Sequence, residues 1–170
     1  MPELPLQPAW PNLFQQHECA LVLFARRWAD SHVDAEDMVQ EAMVRVLRVK
    51  PSDVQDPLSY LYTCVRNVGN EFKRTLGRRT RREEIAATNR GSETWFECPI
   101  EERERVETLQ AAIARLTDAR QEVVTLKIWS GMTFPQIGDV LDISPNTAAS
   151  RYRHALIEMK DFLSRSGAIQ

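Results

Sequence analysis

The sequence is short of the residues that staple, anchor or catalyse. Its three cysteines, Cys19, Cys64 and Cys98, are odd in number and far apart. That is neither a disulfide framework nor a metal-ligand spacing, and it suits a reducing, cytoplasmic setting. No apolar run approaches the roughly 20 residues that cross a bilayer, so no membrane insertion is expected. The opening stretch, MPELPLQPAWPNL, has no basic n-region and no apolar h-region. It reads as a loose lead over residues 1–12 rather than a secretory signal. There is no glycine-rich phosphate loop and no run with the alternation of a strand. Net charge is almost absent as well, at −2. Together these absences argue against a secreted scaffold, a membrane protein and a nucleotide-binding enzyme. Neither a cofactor nor a metal nor a small-molecule substrate is expected.

What is present is a 170-residue chain that is 43% hydrophobic and 27% charged, the balance of a globular protein with one ordinary domain or two small ones. The charge is sorted into blocks. Residues 30–41 hold Asp30, Asp34, Glu36, Asp37 and Glu41 with no Lys or Arg. Residues 66–82 hold Arg66, Lys73, Arg74, Arg78, Arg79, Arg81 and Arg82 against Glu71 alone. Residues 83–107 turn acidic again, with Arg90, Arg103 and Arg105 among many Glu. Such blocks imply different partners at different surfaces, one basic and one polyanionic.

Helical periodicity dominates, so the fold class is all-α. Leu13, Phe14, Leu21, Phe24, Ala25 and Trp28 recur at helical spacing. Asp34 is the expected cap of a second helix whose apolar stripe is Met38, Val39, Ala42, Met43, Val46 and Leu47, with Asp37, Gln40, Glu41, Arg45 and Arg48 on the solvated side. That helix should stop near Lys50–Pro51. After a polar loop, Asp56–Pro57 starts a third helix with inner residues Leu58, Leu61, Tyr62, Val65, Val68 and Phe72. Residues 13–76 therefore read as one helical domain. Residues 77–105, with Gly77, Gly91, Pro99 and dense charge, read as a linker, flexible or partly helical, in which Trp95 and Phe96 are unexplained. A second helical domain spans 106–165.

Within it, Thr133 to Phe162 has the layout of a helix-turn-helix. Thr133 and Gln136 have capping-box spacing. Asp142–Ile143 makes the turn, and Ser144–Pro145 opens the last helix, expected to run roughly four turns. Ile137, Leu141, Ile143 and Ala148 should touch, and Gly138 is small where the helices cross. Ala148, Tyr152, Ala155, Leu156 and Met159 are expected to face inward. The opposite face then carries Asn146, Ala149, Ser150 and Arg153, with His154 at its edge, the donors that base edges and phosphates require.

Three stretches in this order, DAEDMVQEAMVRVLR (Asp34–Arg48), PLSYLYTCVRNVGNEFKR (Pro57–Arg74) and the terminal helix-turn-helix, resemble the sigma factors of bacterial RNA polymerase. The likeness is to the extracytoplasmic-function group, which keeps only conserved regions 2 and 4. The short chain fits, since it leaves no room for further regions. The resemblance implies that Asp37, Gln40 and Glu41 dock on core RNA polymerase. It implies that the loop at Val49–Gln55, with Asn67 nearby, captures a flipped base of the −10 element of promoter DNA, and that Arg66, Lys73, Arg74, Arg78 and Arg79 track that strand. It further implies that the terminal helix reads the −35 element through Ser150, Arg153 and His154, with Asn146 and Thr147 at its start and Arg151 on a phosphate. Regulation by an anti-sigma factor is common in the family. Two departures stand out: Ala149 replaces a basic residue common at that position, and Asp142 replaces the usual Gly of the turn.

Other readings remain open at this level. Asp34, Glu36, Asp37 and Glu41 with His17 or His32 offer carboxylates and imidazoles to a metal enzyme, but no second cluster matches them. A helix-turn-helix regulator acting without polymerase leaves the acidic helix unexplained. A sigma-like decoy that holds a regulator would bind core without directing transcripts.

Overall fold

The computed structural model describes the backbone of residues 9–80 and 103–167 and the side chains of 9–76 and 107–167. Trp95, Phe96, Cys98, Arg81 and Arg82 lie outside the described residues, as does most of the expected linker. Among the described residues there are seven α-helices, one 3₁₀ turn and no strand. The helices are α1 (Trp10–Ala25), α2 (His32–Val46), α3 (Pro57–Thr80), α4 (Arg103–Arg115), α5 (Asp118–Ile128), α6 (Phe134–Leu141) and α7 (Pro145–Arg165). Helices α1, α2 and α3 pack on one another, while α4 and α5 pack on α7. The helices accordingly fall into two compact units.

In the first unit the helices begin where polar caps and prolines favour them. Helix α1 starts at Trp10, inside the stretch expected to be a loose lead, with Pro11 in its first turn. Proline is at home there because the first amides of a helix have no acceptor within it. Helix α2 is capped by Ser31, three residues before the expected Asp34. The Ser31 hydroxyl oxygen accepts from the Asp34 amide at 3.1 Å and donates to the Asp34 carboxylate at 2.8 Å. At α3 the Asp56 carboxylate accepts from the amides of Leu58 and Ser59 at 3.1 and 3.3 Å, as the Asp–Pro signal implies. Helix α3 continues to Thr80, past the expected boundary at residue 76.

The core of this unit is Leu21, Phe24, Trp28, Met38, Val39, Ala42, Val46, Leu61, Tyr62, Val65 and Val68. Phe24 stacks edge-on against both Trp28 and Tyr62, with ring centroids 5.2 and 5.6 Å apart. Burial of this kind contributes roughly 25 cal/mol for each Å² of apolar surface removed from water. Trp28 also donates from Nε1 to the Asn70 side chain at 3.0 Å, and a Cβ on Gly69 would collide with its indole ring. Small size at residue 69 is what lets the turn after α1 pack on α3. Leu47 departs from expectation. It caps the C-terminus of α2, where the helical stripe ends, and is 56% exposed.

In the second unit Ala112, Leu116, Val124, Ala155 and Met159 form the core, flanked by Ile113, Trp129, Tyr152, Phe162 and Leu163. Leu156, expected inside, is 40% exposed, whereas Ala155 beside it is buried. Helix α7 is 21 residues long, well beyond the four turns expected. It gains that length from packing along α4 and α5. Arg120 on α5 pairs with Glu158 on α7 at 2.5 Å, and Arg115 lies over the Phe162 ring at 5.1 Å.

The helix-turn-helix is fixed by three local devices. Thr133 and Gln136 form the complete capping box: the Gln136 amide donates to Thr133 Oγ1 at 3.3 Å and the Thr133 amide to Gln136 Oε1 at 2.9 Å. Asp142 ends α6 in the left-handed region, φ 56°, ψ 50°, so that the Ile143 amide can donate back to the Gly138 carbonyl at 3.0 Å. Ser144 caps α7, its hydroxyl oxygen accepting from the Thr147 amide at 3.0 Å. A Cβ on Gly138 would come within 2.6 Å of the Ile143 carbonyl oxygen.

Two changes at this turn have opposite expected signs. Asp142→Gly relieves a left-handed residue that carries a Cβ, and should raise stability by about 1 kcal/mol. Gly138→Ala forces the turn apart and should cost ~1–3 kcal/mol. Urea melts of the full chain followed by circular dichroism measure both; a stabilising Gly138→Ala would contradict the close crossing.

Candidate nucleic-acid interface

Three outward faces are left when these cores are filled. The first is on α2. Asp37, Gln40 and Glu41 are all exposed, but they are not equivalent. Glu41 is held by Arg45, whose Nε donates to Oε1 at 3.0 Å. The same guanidinium reaches across to α3 and donates from Nη1 and Nη2 to the two Glu71 carboxylate oxygens at 2.9 and 2.7 Å. Arg45, expected to be solvated, is therefore a fork that ties two helices, and Asp37 and Gln40 are outside that network. Sequence reasoning missed the apolar part of this face. Val33, Val44 and Leu47 are large, hydrophobic and exposed. They alternate with Asp37 and Gln40 at steps of four and three, one line along the helix. The signal was available, since Val44 falls outside the inward stripe.

The second face is on α3 and the loop before it. Asn67 is exposed, two turns after Tyr60 and two turns before Arg74. Lys73 and Arg74 are also exposed. Arg66 is half-buried, with its Nε buried and without a hydrogen-bond partner. Arg78 and Arg79 lie within α3, but their side chains are outside the described residues. The acid in this basic stretch, Glu71, is matched by Arg45, and that hydrogen bonding holds its carboxyl below the ordinary value. The face therefore stays cationic. Cys64 sits half-buried beside Tyr60, and burial pushes its thiol up, so it remains protonated at neutral pH.

The loop from Val49 to Asp56 has a defined backbone turn. It contains a 3₁₀ turn at Pro51–Asp53, in which the Asp53 amide donates to the Lys50 carbonyl at 3.0 Å and the Val54 amide to the Pro51 carbonyl at 3.2 Å. Ser52, Asp53 and Gln55 are exposed along it.

The third face is on α7. Asn146, Arg153 and His154 are exposed, and Ser150 and Arg151 are half-buried. Asn146, Ser150, Arg153 and Ile157 fall on one line at steps of four, three and four, and exposed Ile157 extends that line in a way the sequence reading did not include. Thr147 differs from its neighbours. Its hydroxyl is 2.8 Å from that of Ser144, inside the cap, so it shapes the helix start as well as bordering the face.

No group of three or more His, Cys, Asp or Glu among the described residues is arranged to hold a metal ion. Of the residues considered for such a site, Asp34 is engaged by Ser31, His32 pairs with Glu36 at 3.2 Å, and His17 lies edge-on to Tyr62, where burial lowers its pKa. No described helix is long and apolar enough to cross a membrane.

Two family models match separate stretches of the chain. The model of sigma-70 region 2 matches residues 13–82, and that of sigma-70 region 4 matches residues 107–159. The chain is 27% identical over 171 residues to the ECF RNA polymerase sigma factor SigE of Mycolicibacterium smegmatis, covering 93% of this chain and 63% of that protein. Among solved structures, it superposes on sigma factor RpoE from Bartonella quintana, determined with the anti-sigma factor NepR, with a TM-score of 0.66, 19% identity and coverage of 91% and 95% of the two chains. It also matches CnrH, determined with the cytosolic domain of CnrY, with a TM-score of 0.60, 21% identity and coverage of 92% and 88%. These likenesses are to the fold. The two region models cover most of the chain, in the order that the helices follow, and the chain belongs to the sigma-70 family of RNA polymerase sigma factors, in its extracytoplasmic-function group.

Proposed function

We propose that this protein is the promoter-recognition subunit of an RNA polymerase holoenzyme, working in the cytoplasm by binding rather than by catalysis, with no cofactor and no small-molecule substrate. Helices α1 to α3 and α4 to α7 are its two working domains, and the residues between Thr80 and Arg103 connect them. The observation that carries the reading is the presence on one chain of both region matches, each coinciding with an outward face of suitable chemistry. The α2 face, with Asp37 and Gln40 interleaved with Val33, Val44 and Leu47, suits a basic and apolar surface of core polymerase; Glu41 contributes through its link to Arg45. Mixed faces of this kind gain affinity from apolar burial and orientation from charge.

The loop after α2 and the cationic face of α3 bind the unpaired −10 strand. Exposed bases present their edges to Asn67 and the loop, while Arg66, Lys73, Arg74, Arg78 and Arg79 follow the phosphates. Helix α7 enters the major groove of the −35 duplex. Its N-terminal amides and Asn146 face a phosphate, Thr147 orders that end, Ser150, Arg153 and His154 meet base edges, and Arg151 meets the backbone. Two structural relatives were determined in complexes, one with the anti-sigma factor NepR and one with the cytosolic domain of CnrY, and an anti-sigma factor acting on this chain would cover the same faces.

Reconstitution with core polymerase tests the proposal: run-off templates should yield transcripts from defined starts that neither component gives alone, and core binding without such transcripts would contradict it. Exchanging Asp37→Lys with Gln40→Lys should weaken core affinity about tenfold or more, with the melting temperature unchanged; unaltered affinity in a competition assay removes these residues from the interface. Arg153→Ala should cost ~1–3 kcal/mol of discrimination at the −35 element while leaving core affinity intact. Equal losses on matched and scrambled upstream elements would place Arg153 on the phosphates instead.

A further inference from the structure

The loop between α2 and α3 is short, polar and surface-exposed, yet it is pinned from outside. Trp10, in the first turn of α1, is 4% exposed. Its indole Nε1 donates to the Val49 carbonyl at 2.6 Å, a bond between residues 39 apart in sequence. Its ring also lies against Tyr60, with centroids 6.0 Å apart and planes inclined by 38°. Val49 opens the loop and Tyr60 stands in the first turn after it, so a single side chain holds both of its ends. Between those ends the 3₁₀ turn and the Asp56 cap fix the remaining backbone. Neither device involves side chains of Ser52 or Gln55, which stay exposed.

We propose that Trp10 is a positioning residue for capture of the melted strand: it presets the Val49–Asp56 loop in the shape that receives an unpaired base. The proposal rests on reading that loop as part of the −10 site. Preorganisation is the physical gain. A loop that is already ordered loses less conformational freedom when a base docks, so binding of the correct base is not offset by the cost of ordering. Trp10 itself is buried and touches no nucleic acid. It acts through the Val49 carbonyl and the Tyr60 ring.

Trp10→Phe keeps an aromatic ring against Tyr60 but removes the N–H donor. In reconstituted holoenzyme it should lower the preference for a single-stranded oligonucleotide bearing the −10 segment of a mapped promoter, over the same oligonucleotide scrambled, by about three- to tenfold. Core affinity should be unchanged, which a merely structural defect in the first unit would not allow. Pro51→Gly loosens the same loop without touching Trp10 and should reproduce the loss, whether or not Trp10→Phe folds well. Full discrimination in either variant overturns the proposal, as does a loss that only parallels weakened core binding. Replacing Ser52, Asp53 and Gln55 together by Ala separates the two levels. If that triple variant discriminates normally, the loop is not the capture site and the proposal falls with it. If it loses discrimination while Trp10→Phe keeps it, the loop reading survives and the positioning role alone is wrong.

Discussion

Each helix of a small bundle can bury only one face, and that constraint shapes everything this chain can do. Helix α3 spends Leu61, Tyr62, Val65 and Val68 on the core of its unit, which leaves Asn67, Lys73 and Arg74 outside. Helix α7 gives Ala148, Ala155 and Met159 to its core and leaves Asn146, Arg153 and His154 outside. With units this small there is little surplus apolar surface to seal off a cavity. The outward faces are therefore where the proposed function places its partners, and their chemistry differs from helix to helix: acidic and apolar on α2, cationic on α3, donor-rich on α7.

What keeps those faces distinct is a small set of long-range ties. The Arg45 fork joins Glu41 and Glu71, so the acid within the basic stretch is matched locally and α3 keeps its positive character. As an exposed pair it adds little to stability; its effect is on where charge is displayed. The Trp28–Asn70 hydrogen bond ties the turn after α1 to α3, and the Trp10–Val49 hydrogen bond ties the start of α1 to the loop after α2. In the second unit, Asp142 accepts a left-handed backbone so that α7 leaves the turn at the angle its cap requires.

The helices themselves were legible because apolar spacing and proline or hydroxyl caps are local signals, and the stretches Thr133–Gln136 and Ser144–Pro145 act as their chemistry implies. The misreadings were of another kind. The prolines around Trp10 suggest an irregular segment in sequence, yet Pro11 occupies a helix's first turn, where proline is tolerated. Ser31 and Asp34 are both good caps, and in the fold Ser31 takes the role, its hydroxyl accepting from the Asp34 amide. Leu47 and Leu156 sit at the edges of their stripes, where a few tens of degrees of helix rotation separate core from solvent. The pairing of Arg45 with Glu71 spans 26 residues, and no periodicity announces it.

The proposed function, in which one helical unit meets an opened strand and the other a closed duplex, makes a physical claim about DNA. Chemical footprinting of reconstituted holoenzyme on a mapped promoter tests it most directly. Permanganate-reactive thymines should appear at the −10 segment, together with a protected, fully paired stretch at −35. A duplex that stays closed at −10 while −35 is protected, or protection that is the same on any sequence, would contradict it.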